Sequence, residues 1–482
     1  MSKTRIDFDV AIIGTGPAGM FSAIEIARRC PNASMVLFEK GPRRGFGDTG
    51  NETCGLGGAG AFSDGKLDLT HKVGGILVEG GYVSETDFYA LMRYVEDVYL
   101  SYCRDAETVV EVDNNPGVER IRALCVKHNL ELIPFPVRHL GTDRSFWIVE
   151  GIFNELQRAG AEVRIQTEVT RVDKIDGGFL LKWQEWENQV VVEDEVLKKK
   201  RSVCAEGEVF VRKVVVCPGR EGDHWFSGET RRLGLTVFKN RVDIGVRVEV
   251  PHSAMSHLTD VLHEPKIIYY TPTFKDRVRT FCVCPHGFVT AEPYHGLPVI
   301  TVNGKADSEH GRRTASTNFA LLVSQAFTKP FDDPVDYAVA TAQKANRLAG
   351  PNGVLVQRLG DVGMHRSTEE RIQESKEYGF VEQTLADATP GDLTLVVPYR
   401  HFVGVLEMLK ALSWIAPGIT SPHTLLYGVE VKFYSLQVKT RSGFETEIDG
   451  LYVAGDGSGY TRGLLQSSIQ GVIVARDIAA KL

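Results

Sequence analysis

Apolar positions follow different periods along the chain, and each period predicts a kind of element. An unbroken apolar run, Val10 to Ile13, is followed by closely spaced glycines, an alanine-rich stretch of helical spacing to Ala27 and a second apolar run, Met35 to Phe38. Run, helix and run in that order predict the start of a buried parallel sheet. Phe88, Leu91, Val95 and Val98 recur at three- and four-residue steps, and a further helical pattern lies near residues 118–128, so residues 82–140 read as a helical excursion. Residues 147–158 predict another helix. Alternation then takes over in residues 163–169, 179–186 and 208–211, with the turn Asp176-Gly-Gly178 between them, which predicts a small antiparallel meander. It runs into Lys213-Val-Val-Val-Cys217-Pro-Gly219, a buried strand that ends in a glycine turn.

Residues 231–430 have another texture. Strand-like pieces at 244–250, 266–270, 279–284 and 298–302 alternate with loops rich in His, Tyr and Pro, and helical stretches are predicted at 315–326, 334–348 and 401–414. No internal repeat of fixed period is found. The chain returns with the strand and turn Leu451-Tyr-Val-Ala-Gly455-Asp456 and a last amphipathic helix at 464–482. The expected organisation is therefore a first domain built from residues 1–230 and 431–482, interrupted by an α+β domain at 231–430. A chain of 482 residues has room for both.

Composition narrows the class. Hydrophobic residues at 43% and charged residues at 24% are ordinary for a globular protein with a large core. The net charge of -7 argues against a nucleic-acid partner, and the one basic run, Lys198-Lys-Lys-Arg201, follows acidic Glu193-Asp-Glu195 as in a solvated hairpin. No signal peptide and no apolar stretch of roughly 18 residues is visible, so a cytoplasmic location is expected. The eight cysteines are scattered and do not resemble a secreted disulfide framework. Cys282 and Cys284, two apart on a strand, should point to one face as packed thiols, and no metal site is expected.

The candidate chemistry begins at Gly14-x-Gly16-x-x-Gly19. After a strand, Gly14 makes the tight turn, Gly16 leaves the backbone bare where a pyrophosphate must approach, and Gly19 lets the following helix pack closely. The helix N-terminus favours an anion. Glu39, at the end of the second strand, is spaced to hydrogen-bond a ribose diol. A glycine-dense segment from Gly41 to Lys66, interleaved with Leu56, Ala59, Ala61 and Phe62, reads as a packed ligand loop. Together these point to binding of an ADP moiety.

The N-terminal glycine motif with Glu39, the middle Val214-Val-Val-Cys-Pro-Gly219 and the C-terminal Leu451-Tyr-Val-Ala-Gly-Asp456 resemble the three flavin signatures of the glutathione-reductase-type FAD fold. Gly58-Ala-Gly-Ala-Phe-Ser-Asp-Gly-Lys66, residues 242–250, Thr280-Phe-Cys-Val-Cys-Pro285 and Val302-Asn-Gly304 are similar to a bacterial family of FAD-dependent dehydrogenases, largely without assigned substrates. The likeness implies a Rossmann-type FAD-binding α/β domain with a parallel sheet and an antiparallel meander. It implies that FAD is held by Gly14, Gly16, Pro17, Ala18, Gly19, Glu39 and Lys40, by Gly58, Ser63 and Asp64, by Val169, Pro218 and Gly219, and by Gly455, Asp456, Gly463 and Leu464. Glu39 carries over to the adenosine ribose and Asp456 to the ribityl chain. Relatives continue the last motif as Gly-Tyr-Ala-Gly-Gly, whereas this chain has Gly459-Tyr-Thr-Arg462-Gly463, which brings a cation near the flavin pyrimidine.

The expected activity is an FAD-dependent oxidoreductase, dehydrogenase or oxidase, that moves a hydride between a small organic substrate and flavin N5. A flavin monooxygenase and an interaction protein on a flavin fold without catalysis are the alternatives. With no second glycine fingerprint, NAD(P)H is expected at most as an external electron donor. Lys66 is a candidate to stand over N5, Arg462 to meet the flavin pyrimidine or a substrate carboxylate, and His286 to act as acid or base. Tyr294 and the pair Arg312-Arg313 are candidates for stacking on a substrate and clamping its carboxylate.

Overall fold

The computed structural model of the chain describes residues 6–43, 54–61, 65–103, 112–140, 142–193, 196–262, 264–294, 297–305, 313–350 and 353–482. They fall into two compact units: Met1–Val109, Pro136–Phe238 and Ser435–Leu482 form the first, Val110–Phe135 and Lys239–Tyr434 the second. The expected boundaries at 230 and 430 thus move to 238 and 434. A larger correction concerns residues 110–135, expected in the first domain. Their helix Pro116–Lys127 and strand Leu130–Ile133 belong to the second unit, where the strand pairs with Lys266–Tyr270.

In the first unit, the apolar runs fold as the period predicts. Strand β1 (Phe8–Ile13) leads into helix α1 (Pro17–Arg29) and strand β2 (Met35–Phe38), and Val10, Ala11, Ile12, Val36 and Leu37 have no exposed surface. Helix α2 (Glu85–Tyr102) buries the stripe Phe88, Leu91, Val95 and Val98, and its N-terminus is fixed by Ser84, whose hydroxyl accepts from the Asp87 N–H. After helix α3 (Thr142–Arg158) come β3 (Glu162–Arg164), β4 (Thr167–Ile175), β5 (Gly178–Glu193) and β6 (Val196–Val216). The chain ends with β7 (Leu451–Val453) and helix α4 (Leu464–Lys481).

The sheet order is β3-β2-β1-β6-β5-β4, with β7 on the other part of β6. Strand β6 does two jobs. Up to Val211 it pairs antiparallel with β5, and from Val211 to Val216 it pairs parallel with β1, while β7 joins it in parallel at Val214 to Val216. The meander and the parallel sheet are therefore one sheet, turned at a strand longer than either pattern alone suggests. Helix α4 lies against α1 at backbone distance: a Cβ on Gly471 would come within 2.3 Å of the Ala18 carbonyl oxygen, and Ser22 Oγ donates to Gly471 O at 3.1 Å. That packing holds the N-termini of α1 and α4 beside the ends of β1 and β7.

The second unit is built on an eight-stranded sheet in the order Thr389–Pro390, Leu355–Arg358, Leu425–Lys432, Val242–Pro251, Ser316–Gln325, Arg277–Pro285, Lys266–Tyr270 and Leu130–Ile133. Helices Pro334–Ala349 and Tyr399–Leu412, both expected, bury Ala338, Ala342, Val405 and Met408 in its core. Residues 315–326 were expected to be helical; Ser316–Gln325 is a central strand instead. Phe319 to Val323 are all fully buried between two neighbouring strands, and a run covered on both faces loses the alternation that marks a strand. Among the described residues no helix is long and apolar enough to cross a membrane.

Candidate functional site

The glycine turn is shaped by packing as much as by any ligand. Gly14 has φ +95°, and a Cβ there would lie 2.2 Å from the Cys217 carbonyl oxygen at the end of β6. A Cβ on Gly19 would lie 2.0 Å from the Gly14 carbonyl oxygen. Gly16 differs: its backbone is extended and a Cβ would meet nothing within 4 Å. It borders open space. Gly219, with φ +58°, borders open space in the same way.

That space is a cavity of about 390 Å³ whose walls come from the first unit. Gly14, Gly16, Pro17 and Ala18 line it from the first motif, Glu39, Lys40 and Gly58 from the second strand end and its loop, and Lys66 and Val169 from further along. Pro218 and Gly219 close the end of β6, and Gly455, Asp456, Arg462, Gly463 and Leu464 complete the wall. Gly19, expected among these, is absent from the wall and serves the turn. Ser63 and Asp64 lie outside the described residues, as does Arg312.

Two helix N-termini face this cavity. Gly16 precedes α1 and Gly463 precedes α4; neither helix has a side-chain cap or an acidic residue in its first turn. Pro17 at the first helical position has no N–H to satisfy. The first-turn N–H groups and the positive ends of both dipoles are thus presented to whatever fills the space. The peptide before α4 is anchored from behind, Arg462 N and Gly463 N donating to Gly74 O at 2.8 and 3.1 Å.

Glu39 stands at the end of β2 on the cavity wall, as expected, with its carboxylate already engaged. Its carboxylate accepts from Thr15 Oγ1 at 2.7 Å and from the N–H groups of Thr15, Gly41 and Gly55 at 3.2, 2.8 and 3.1 Å. A carboxylate offers about four lone-pair sites, and four donors occupy them. Glu39 therefore clips the glycine turn to the glycine-dense loop. Burial pushes its carboxyl above the usual range despite those donors.

Side-chain bonds between residues distant in sequence brace the wall and the turn behind it. Arg220 Nε donates to Asp456 Oδ2 at 2.8 Å, so the carboxylate expected on the ribityl chain already has a guanidinium beside it. Lys40 Nζ donates to Glu221 O at 3.0 Å, linking the end of β2 to the turn after β6. Gln470, fully buried in α4, accepts from Gly455 N at 2.9 Å and from Thr461 Oγ1 at 3.0 Å and so fixes the turn that carries Asp456. A polar residue on the apolar face of the last helix was the available signal. Cys54 also lines the wall, and burial, with Glu39 nearby, pushes its thiol up to about 11, which disfavours the thiolate at neutral pH.

Lys66, half-buried, opens the short strand Lys66–Asp68, which pairs with Val137–His139. It and the exposed Arg462 share the cavity wall. His286 does not. It sits in the second unit at φ +55°, after the strand Arg277–Pro285, with its ring 3.6 Å from that of His252 and Nδ1 donating to Thr314 O at 2.8 Å. A backbone carbonyl and a second imidazole hold its ring within that unit. Tyr294 packs edge-on against Phe433 in the same unit. Among the described residues no group of His, Cys, Asp or Glu could hold a metal ion.

No family model matches the chain. A relative from Clostridium beijerinckii, described as an uncharacterized protein, is 23% identical over 509 aligned residues, covering 98% of this chain and 80% of that one. Among solved structures, glycine oxidase from Geobacillus kaustophilus aligns at 14% identity and a TM-score of 0.36, over 98% of this chain and 95% of that one. The p-nitrophenol 4-monooxygenase PnpA from Pseudomonas putida DLL-E4 aligns at 9% and 0.39, over 99% and 79%. A flavoprotein/dehydrogenase from Cytophaga hutchinsonii aligns at 10% and 0.38, over 98% and 78%. Overlaps this loose carry neither reaction nor substrate, which rest on the site itself.

Proposed function

We propose that the cavity holds FAD and that the chain is an FAD-dependent oxidoreductase acting on a small organic substrate. The observation that carries this reading is the convergence of two uncapped helix N-termini on one cavity, bordered by bare backbone at Gly16 and Gly219. A dinucleotide diphosphate suits such a cradle, since each helix end favours a negative group and a Cβ would narrow the open space. The residues fit the group. Residues 14–18 and Arg220 would meet the diphosphate, Val169 and Lys40 would flank the adenosine end, and Asp456 would accept from the ribityl hydroxyls beside its guanidinium.

FAD supplies the two-electron redox chemistry when bound; the protein supplies binding, orientation and electrostatics. Lys66 Nζ can hold or deliver a proton at the wall it shares with Arg462. Arg462 and the α4 dipole place positive charge together at one end of the cavity, where charge developing on a reduced ring is best stabilised. NAD(P)H fits this scheme as an external donor.

The test begins with the purified protein. It should be yellow, or turn yellow with added FAD, at about one FAD per chain; protein that stays colourless after incubation with FAD overturns the reading. Anaerobic mixing of the loaded protein with pooled small metabolites, and separately with NADH and NADPH, while flavin absorbance is followed, then identifies the reductant. A Lys66→Met variant should keep its FAD and lose most of its turnover.

A further inference from the structure

The Cys-x-Cys of the second unit is not the pair of regular strand thiols that its spacing suggests. On an undistorted strand residues two apart are about 6.6 Å apart along the chain, which keeps such thiols separate. Here the pairing of Arg277–Pro285 with Ser316–Gln325 slips between Phe281 and Cys284, and Cys282 takes φ +47° at that bulge. The kink brings Cys282 Sγ to 3.7 Å from Cys284 Sγ. Cys282 is half-buried and Cys284 buried.

A fully buried guanidinium stands behind the pair. Arg247 donates through Nη2 to Cys282 O at 2.6 Å, and the same nitrogen is 3.5 Å from Cys284 Sγ. Its Nε donates to Asn318 Oδ1 at 2.9 Å and its Nη1 lies 3.3 Å from Glu430. Gly304 leaves the guanidinium its room, since a Cβ there would lie 1.8 Å from Nη2. Lys432 Nζ is 3.3 Å from the same Glu430, so among the described residues two cations share one carboxylate, and Glu292 joins the cluster through the Asn303 amide. Asn318 is the cross-strand partner of Cys284, and its Nδ2, fully buried, has no acceptor among the described residues. Burial alone would lower the Arg247 guanidinium, but Glu430 and the two cysteines outweigh it and hold it above its ordinary value. A guanidinium N–H 3.5 Å from a thiol sulfur favours its thiolate.

We propose that Cys282 and Cys284 form a redox-active dithiol that closes reversibly to a disulfide by exchange with a low-molecular-weight disulfide. The more exposed Cys282 sulfur attacks one sulfur of the small disulfide. That S–S bond breaks, one small thiol leaves with the Cys282 proton, and a mixed disulfide remains on Cys282. Cys284, with the Arg247 guanidinium 3.5 Å from its sulfur, gives up its proton to solvent and attacks Cys282 Sγ; the Cys282–small-thiol bond breaks and the second small thiol leaves, taking a proton from solvent. Two electrons pass from the dithiol to the small disulfide, which is reduced to two thiols, and excess small thiol reverses both steps. Closing the sulfurs from 3.7 Å to a bond of about 2 Å is a movement of side chains across a bulge that already bends the strand. The ring spans three residues and constrains the unfolded chain little, which suits a bond that opens and closes rather than one that holds the fold. This site is independent of the FAD reading.

The test uses the full-length protein equilibrated across a series of glutathione and oxidised glutathione ratios, quenched with an alkylating agent and digested with trypsin. The peptide 280–305, bounded by Arg279 and Lys305, contains these two cysteines and no other. It should pass in one step from doubly alkylated to unalkylated and two hydrogens lighter. Cys284→Ser should trap glutathione on Cys282, and Cys282→Ser should leave Cys284 unmodified. A wild-type peptide that stays doubly alkylated across the series, or that accumulates glutathione on both cysteines, overturns the proposal. The wild-type series decides by itself if a variant does not fold.

Discussion

At the scale of single residues, Glu39 shows how spacing and bonding part company. Its position at the end of β2 suits a ribose contact, yet its carboxylate is held by Thr15, Gly41 and Gly55. Glu39→Gln puts an amide N–H₂ among donors and breaks at least one bond to a charged acceptor, a loss of about 1.5 to 3 kcal/mol. Because the clip joins the phosphate turn to the loop, affinity should fall about tenfold or more for FMN and riboflavin as well as for FAD. Flavin titrations by fluorescence quenching decide: weakening of FAD alone would return Glu39 to a ribose role. Burial raises this carboxyl, so its contribution to stability is full below the ordinary carboxylate value and declines as pH rises above it.

Among elements, the three motif glycines divide by what surrounds them. Gly16 and Gly19 sit at the start of one helix, yet a Cβ on the first meets nothing and a Cβ on the second strikes the Gly14 carbonyl. Gly16→Ala should therefore leave the melting temperature of the unloaded protein within a degree or two while weakening FAD. Gly19→Ala should destabilise the protein before any ligand is added, because β1 and α1 must move apart; overpacking of this kind costs about 1 to 3 kcal/mol. Thermal unfolding with and without FAD separates them, and equal loss of stability in both variants would refute the division. The same local chemistry explains what was legible here. β1, α1, β2, α2 and α4 follow from runs, periods and caps within a few residues. Ser316–Gln325 was misread because neighbours on both sides bury it completely, and that burial is a property of the sheet.

Across the molecule, the second unit concentrates buried ionisable groups with opposed pH responses. Burial would raise Asp243, but Arg279 at 2.6 Å, with Ser324 and Tyr434, overturns this and holds its carboxyl down to about 2. Its stabilising contribution is present above the ordinary value of 3.8 and is lost as pH falls from there through about 2. His401 is lowered from 6.5 to about 4, chiefly by burial, so it too favours folding above 6.5 and loses that contribution on acidification. Glu249 runs the other way. Burial lifts it from 4.5 to about 7 against the hydrogen bonds from Thr384 and Tyr427, so its contribution is full below 4.5 and is lost as pH rises through about 7. Between pH 4.5 and 6.5 Glu249 and His401 nearly cancel. Glu249→Gln should remove one side of that balance, so stability of the second unit should rise with pH more steeply than in the wild type, by up to about 1.36 kcal/mol per unit. Urea-pulse proteolysis, with second-unit peptides quantified by mass spectrometry from pH 4.5 to 7, reads this directly. A parallel pH profile in the two proteins would sink the assignment.

What the sequence determined by itself was whatever depends on neighbours within about a dozen residues: the glycine turn and its helix, the meander, and the strand and turn before Asp456. Those features are set by backbone freedom, period and capping, which are written locally. The tertiary structure alone decided which distant groups meet. Arg220 reaches Asp456, separated by 236 residues, Glu39 is taken by two loops, Gln470 pins Gly455, and Cys282 and Cys284 are brought together by a register slip against another strand. Residues 110–135 joined the second unit because an edge strand there offered Leu130–Ile133 a partner. Each of these outcomes depends on a hydrogen bond or a buried face whose other half lies elsewhere in the chain, and no local pattern records it.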